Sequence, residues 1–271
     1  MPTTTLERGI EAFFCFLEEP RPWGVSEVAQ RLETSKPTAS RLLTSLERKG
    51  LIARRNSSRK YELSFGMLAL VALRLKDLDV ESVSLPVLRP LSEATGETAG
   101  IYVRMGWQRL CLAESESAHE IRRVGKLGVL QSLTTGSSGR VFLAFMSPDD
   151  VDKILDADPL EARTEFSVTD RAAFLVMLEE VKRLGYAIAR DETTLGVSGL
   201  SVPIKGVEGG VVATLTVSGP SDRWSTARML EMRQRVVDEA GRLSTTLSPM
   251  VASVSQSPTQ GLQLPQKVRL N

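Results

Sequence analysis

Ser35-Lys36-Pro37-Thr38-Ala39-Ser40-Arg41-Leu42-Leu43-Thr44-Ser45-Leu46-Glu47-Arg48-Lys49-Gly50 decides how the amino-terminal part of this 271-residue chain is read. Ser35 ends a polar break begun by Glu33 and Thr34, Pro37 falls in a first turn where its missing N–H is not needed, and Gly50 supplies a stop. The stretch therefore predicts a helix from about Lys36 to Lys49. Its residues divide into two faces. Ala39, Leu42, Leu43 and Leu46 recur at helical spacing as a core stripe, while Thr38, Arg41, Ser45 and Arg48 lie on the other side with no acidic residue among them. The stripe needs partners, and the residues before it provide them. Leu6, Ile10, Phe13, Phe14 and Leu17 predict one helix that ends before Pro20 and Pro22, and Ser26 is placed to cap a second that carries Val28, Ala29 and Leu32.

After Gly50 the period changes. Leu51-Ile52-Ala53-Arg54-Arg55 and Lys60-Tyr61-Glu62-Leu63 flank a polar tip, Asn56-Ser57-Ser58-Arg59, which is the pattern of a β-hairpin. Three helices and a hairpin over residues 5–65 make a winged helix-turn-helix domain. A major groove admits short polar side chains such as Thr38, Ser40 and Ser45, and Arg41 can pair with both acceptors of a guanine, with Lys36 at the entrance. Arg54, Arg55, Arg59 and Lys60 are placed to reach phosphates or an adjacent minor groove. An ordinary solvated face is the alternative for the helix taken alone; the basic hairpin directly downstream weighs against it. So does charge. Residues 35–60 hold eight basic residues opposed by Glu47 alone, +7 in all, so that the whole-chain +1 leaves −6 elsewhere. One small region is built to meet a polyanion such as double-stranded DNA.

Residues 66–80 are almost wholly apolar until Arg74 and predict a linker helix that buries itself against its own copy in a dimer. From 81 to 248 helices and strands alternate. A helix over Val83–Thr95 is expected if Pro86 and Pro90 sit in or near a first turn, followed by strands near Thr98–Met105 and Arg109–Ala113 and helices near 136–146, 149–156 and 169–184. Strands near Tyr186–Asp191, Leu200–Ile204 and Val211–Ser218 and a closing helix to about Leu247 complete an α+β pattern, an antiparallel sheet flanked by helices. Residues 249–271, rich in Ser, Gln and Pro, are expected to be a disordered tail. No apolar run approaches the roughly 18 residues of a membrane span, and the first residues lack a signal-peptide pattern, so a cytoplasmic location is expected.

The same residues limit the chemistry. His119 is the only histidine, and Cys15 and Cys111 sit in apolar stretches, so no paired imidazoles or thiolates are on hand for a metal and no cofactor is expected. Ser137, Ser138 and Ser198 could serve as nucleophiles, but no histidine accompanies them and G-x-S-x-G is absent. Ser57-Ser58-Arg59-Lys60 matches S-x-x-K, yet lies on an exposed basic turn rather than at a helix start in a pocket.

Val25-Ser26-Glu27-Val28-Ala29, then Ser35 to Leu43, Leu46-Glu47-Arg48-Lys49-Gly50-Leu51-Ile52 and Tyr61-Glu62-Leu63 resemble the DNA-binding domain of IclR-type transcriptional regulators. Farther on, Leu133-Thr134-Thr135-Gly136-Ser137-Ser138-Gly139-Arg140-Val141-Phe142-Leu143-Ala144 resembles the signature that opens a helix of that family's effector domain. Gly185-Tyr186-Ala187, Asp191-Glu192 and Gly196-Val197-Ser198-Gly199-Leu200-Ser201-Val202-Pro203-Ile204 resemble its second signature. The likeness runs from about residue 5 to 245. It implies a GAF-like effector domain, self-association into a dimer or a dimer of dimers, and response to a small metabolite.

A helix opening at Gly136-Ser137-Ser138 would present unpaired N–H groups and two hydroxyls to a carboxylate; simple capping is the alternative. Where many members carry an acidic residue and a cysteine, this chain has Ala189 and Gly199, which points to a roomier, less polar pocket and to an acid bulkier than two or three carbons, aromatic acids included. Leu130, Gly136, Ser137, Ser138, Glu192, Val197, Ser198, Gly199 and Ser201 form the candidate ligand set, with Glu192 either a ligand contact or a buried carboxylate paired with backbone donors. The expected function is a ligand-responsive regulator of a catabolic operon, a repressor by preference, bound to a pseudo-palindromic operator. The alternative is a small-molecule hydrolase or modifying enzyme with an appended DNA-binding domain.

Overall fold

The apolar stripe of the Lys36 helix finds its partners within the first of two units into which the chain divides, one reaching to Asp77 and the other beginning at Leu78. The computed structural model describes residues 4–18, 21–55, 57–67, 80–124 and 127–255. The linker helix expected over 66–80 lies, from Leu68 to Asp79, outside the described residues.

In the first unit, α1 (Thr5–Glu18), α2 (Val25–Arg31) and α3 (Lys36–Arg48) precede a hairpin of β1 (Ile52–Arg54) and β2 (Tyr61–Leu63), paired antiparallel with Ala53 opposite Glu62. Phe16, Trp23, Val28, Ala39, Leu43, Ile52 and Tyr61 close its core. Helix α3 starts where expected, with Ser35 Oγ accepting the Thr38 amide at 3.3 Å. Helix α2 does not. Its cap is Gly24, not Ser26, and Glu27 in the first turn reaches back to accept the Gly24 amide at 2.6 Å, the half of a capping box that needs no cap side chain. The same carboxylate receives Arg21 Nη1 at 2.8 Å and Lys60 Nζ at 3.0 Å. Because Trp23 and Tyr61 exchange backbone hydrogen bonds of 2.9 and 2.8 Å, Glu27 stands where the start of α2 and the hairpin meet. Burial opposes its ionisation, but the Gly24 amide, Arg21 and Lys60 together outweigh it and hold the Glu27 carboxyl at about 2, against an ordinary 4.5.

The second unit is built on one six-stranded antiparallel sheet. Its strands are β3 (Thr98–Met105), β4 (Gln108–Ser115), β5 (Leu130–Ser132), β6 (Ala187–Arg190), β7 (Val197–Lys205) and β8 (Val211–Pro220), in the order β5-β4-β3-β8-β7-β6. Helices α4 (Val80–Thr95) and α8 (Thr226–Ser255) cover one face; α5 (Gly136–Ala144), α6 (Pro148–Ala157) and α7 (Arg171–Leu184) build a second core with Phe142, Ile154, Phe174 and Leu178. Strand alternation separates the two. Leu200, Val202 and Ile204 of β7 join Leu88, Trp224 and Val236 in the first core, whereas Ser201 between them bonds to α5.

Three sequence expectations change. Pro86 and Pro90 lie inside α4 rather than in a first turn; both are exposed, so the backbone bonds they cannot make are left on the solvent side while Ser84, Leu88, Leu91 and Ser92 face inward. Helix α8 runs past Pro249 to Ser255, because Leu247 and Val251 continue its buried stripe, so the tail expected from 249 begins inside a helix, and residues 256–271 lie outside the described set. The three-residue β5 is too short to show a period and was not expected.

Two measurements test this account. A Cβ on Gly139 would overlap the Leu133 carbonyl, whereas one on Gly241, exposed on α8, would meet nothing within 4 Å. Denaturant unfolding should therefore show Gly139→Ala losing about 1–3 kcal/mol and Gly241→Ala gaining about 0.4–1 kcal/mol. For Glu27, a folded-state pKa depressed to about 2 contributes stability above the ordinary 4.5 that is lost as pH falls through about 2. Urea midpoints of Glu27→Gln and the parent should thus differ at pH 7 and converge near the lower value; a difference that persists in acid would show that the charge is not what matters.

Candidate functional site

The α3 face expected to meet DNA is solvent-facing. Lys36, Arg41, Ser45 and Arg48 are exposed and Thr38 and Ser40 half-buried, and among the described residues Lys36 and Arg41 make no ion pair. Two hydroxyls are already engaged: Thr38 Oγ1 lies 2.9 Å from Ser35 Oγ, and Ser45 Oγ donates to the Arg41 carbonyl at 2.9 Å. Three of the four wing cations are engaged as well. Arg54 donates from Nε and Nη2 to the Tyr61 hydroxyl at 3.1 and 2.9 Å and lies 3.8 Å from Glu47, interactions that push its guanidinium further above its usual range. Arg55 sits 3.9 Å from Glu62 and Lys60 bonds to Glu27, whereas Arg59, at the tip, is exposed and makes no ion pair among the described residues. Exposed pairs of this kind contribute little stability, but they pre-set where the cations point.

In the second unit, Gly136 opens α5 with φ of 68°, and the cap residue Thr135 makes no side-chain hydrogen bond to the helix start. The four serines expected at a ligand are instead buried and bonded. Ser137 Oγ lies 2.8 Å from Ser201 Oγ, which lies 2.8 Å from Thr216 Oγ1; Ser138 Oγ pairs with Thr214 Oγ1 at 2.7 Å; Ser198 Oγ pairs with Ser221 Oγ at 2.8 Å. A buried hydroxyl needs a partner, and here each partner is another hydroxyl: the Ser137 and Ser138 pairs cross from α5 to the sheet, Ser201–Thr216 joins β7 to β8, and Ser198–Ser221 joins β7 to the residue after β8. Gly199 adds no room either, since Ser137 Oγ stands 3.0 Å from where its Cβ would be. Ala189 is buried, and Leu130 and Val197 are half-buried on β5 and β7.

The open space lies farther out. A cleft of about 500 Å³ is lined by Phe166, Ile188, Arg190, Asp191 and Glu192. A recess of about 20 Å³ between Thr134, Thr135, Gly136, Arg163 and Thr193 shares Glu192 with it. Of the expected set, Gly136 and Glu192 line this space. Glu192 pairs with Arg140 of α5, which is 3% exposed, and its carbonyl accepts Ser167 Oγ at 2.7 Å, while Thr164 Oγ1 donates to the Asp191 carbonyl at 2.7 Å. Asp191, at φ of 59°, accepts Ser221 Oγ at 2.6 Å and the Gly196 amide at 2.7 Å, the first of which does most to lower its pKa. Phe166, Arg163, Arg140 and Arg109 were not expected at the site; Phe166, Arg163 and Arg109 lie in loop and strand positions that carry no local motif, while Arg140 lies within the signature that opens α5 but was not singled out. Among the described residues no cluster of His, Cys, Asp and Glu could hold a metal ion, and no helix is long and apolar enough to cross a membrane.

Residues 5–56 match the IclR helix-turn-helix domain, and residues 72–245 match the C-terminal domain of the bacterial transcriptional regulator IclR. The chain is 29% identical over 225 residues to the HTH-type transcriptional regulator BhcR of Paracoccus denitrificans, covering 83% of this chain and 81% of that protein. It is 27% identical over 243 residues to the HTH-type transcriptional repressor AllR of Escherichia coli K12, covering 89% of each. A crystal structure of an IclR transcriptional regulator from a Silicibacter species superposes with a TM-score of 0.80 at 28% identity, over 90% of this chain and 96% of that one. An IclR homologue from Microbacterium hydrocarbonoxydans, complexed with 4-hydroxybenzoate, has a TM-score of 0.73 at 20% identity, over 90% and 100%, a likeness of fold alone. Both of its units match the family's two domains and its relatives are regulators rather than enzymes: the chain belongs to the IclR family of bacterial DNA-binding transcriptional regulators.

Proposed function

We propose that this regulator acts in the cytoplasm as a repressor, occupying a pseudo-palindromic operator as a dimer or a dimer of dimers joined through residues 66–80. Residues 5–65 bind DNA, and a GAF-like domain over 81–248 binds a small organic acid. The observation that carries the DNA part is the exposed, acid-free face of α3, with Arg41 and Lys36 unpaired among the described residues. Thr38, Ser40, Arg41 and Ser45 enter the major groove, with Lys36 on a phosphate at its entrance; Arg59 meets a phosphate directly, and Arg54, Arg55 and Lys60 exchange protein partners for phosphate. What supports an aromatic acid is a cleft of about 500 Å³ that sets Phe166 and Ile188 beside Arg190, together with the 4-hydroxybenzoate held by a protein of the same fold. The acid lies against Gly136 and Glu192. Its effect on operator affinity equals the difference in its own affinity for the two states of the regulator.

Arg41→Ala is expected to cost about 1–3 kcal/mol of operator binding and to relax base preference, while Lys36→Ala weakens all sequences alike and lowers the salt slope by about one. Fluorescence anisotropy against operator and random duplex at several salt concentrations measures both. An Arg41→Ala protein that discriminates as the parent does would remove α3 from the reading head. For the effector, 4-hydroxybenzoate is expected to change operator affinity by about fivefold or more; a response to glyoxylate or pyruvate alone would overturn the aromatic assignment.

A further inference from the structure

Among the described residues three buried side-chain atoms have no hydrogen-bond partner: Ser84 Oγ, Arg109 Nε and Gln131 Nε2. The last two belong to one cluster, joined by the Arg109 Nη2 bond to Gln131 Oε1 at 3.2 Å, and both are donors. What the cluster lacks is an acceptor. Arg109, on β4, is 5% exposed, and its Nη1 donates to the carbonyls of Ser132 and Thr135, the latter at 2.8 Å. Among the described residues no carboxylate pairs with it. Burial chiefly, with Arg163 and Arg123 adding to it against Tyr102, brings its pKa down to about 10, so the guanidinium stays charged at neutral pH. A buried cation with charged neighbours of its own sign and an unused N–H, held so far only by neutral acceptors, is further stabilised by an anion.

Access is through Gly136. It lines the recess beside Glu192, and a Cβ there would stand 3.6 Å from Arg109 Nη2 and 3.5 Å from Thr193 Oγ1. The Gly136 backbone therefore stands between the guanidinium and the recess, which has room for one water-sized group such as a single carboxylate oxygen. The acidic residues that line it are occupied, Glu161 3.5 Å from Arg163 and Glu192 on Arg140. The adjacent start of α5, whose cap residue offers its amides no side chain, favours negative charge as well.

We propose that Arg109 and Gln131 form a buried carboxylate subsite in which an oxygen of the effector acid accepts Arg109 Nε–H and Gln131 Nε2–H, the remainder of the acid extending past Glu192 into the cleft. This deepens the effector reading above and rests on it. Gln131→Glu tests it, because the new carboxylate supplies the missing acceptor in place of the ligand. In the full chain, sodium benzoate is expected to raise the parent's Tm by several degrees over sodium chloride of equal ionic strength, and benzamide to leave it unmoved. Gln131→Glu is expected to melt above the parent without benzoate and to lose most of the benzoate response. In parent protein labelled with ¹⁵N-arginine, the Arg109 Nε–H resonance is expected to shift on titration with benzoate, a readout that does not depend on the variant folding. A parent whose Tm and Arg109 resonance are indifferent to benzoate, acetate and inorganic phosphate overturns the subsite, as does a Gln131→Glu protein that responds like the parent. If benzoate moves the Arg109 resonance but leaves operator affinity unchanged, the effector reading fails while the subsite stands. If operator affinity responds equally in the parent and in Gln131→Glu, the subsite fails while the effector reading stands.

Discussion

The second unit depends on how closely α5 approaches its sheet. Gly139 lies against the Leu133 carbonyl, and Gly199 on β7 lies against Ser137, so that only hydrogen or a hydroxyl fits at the seam. At that distance every polar atom must find its partner within the seam, which is why Ser137, Ser201 and Thr216 form a chain and Ser138 turns to Thr214. Close packing there also decides where empty space can be. With the seam filled, the cleft and the recess lie at its outer edge, lined by residues of the segments 161–168 and 188–193.

Those outer segments are tied to each other by polar contacts, with Val168 packing against the second core. Thr164 and Ser167 donate to the carbonyls of Asp191 and Glu192, and Asp191 is held by Ser221 and the Gly196 amide in a backbone conformation unusual for a residue with a side chain. The Glu192–Arg140 pair joins this edge to α5. A ligand in the cleft therefore touches a region held by polar contacts, which can rearrange at lower cost than packed apolar layers.

Electrostatics organise the first unit in a similar way. The +7 of residues 35–60 is not a uniform cloud. Glu27, Glu47, Glu62 and the Tyr61 hydroxyl hold Lys60, Arg54 and Arg55 along the hairpin, leaving Lys36, Arg41 and Arg59 without such partners among the described residues. An anion that recruited Lys60, Arg54 or Arg55 would have to compete with these carboxylates, whereas Lys36, Arg41 and Arg59 break no ion pair among the described residues.

Much of this protein was legible before any fold was seen. Helix α3 was readable from Pro37, Gly50 and an apolar stripe at 3.6-residue spacing, and the hairpin from its turn residues, because turns, stops and periodicity are local properties of the chain. The acid-free face of α3, the segregated charge and the family signatures identified a DNA-binding regulator on the same grounds. The candidate ligand site was less legible. Ser137, Ser138, Ser198 and Ser201 have the chemistry of ligand contacts, and no local signal distinguishes a hydroxyl facing a cleft from one facing another hydroxyl. Arg109 and Gln131 lie on neighbouring strands with opposed unsatisfied donors. What the sequence by itself determined was the order of the elements long enough to show a period and which faces are apolar or charged; only the tertiary structure decided which polar groups are satisfied and where space remains, since both depend on distances between residues far apart in the chain.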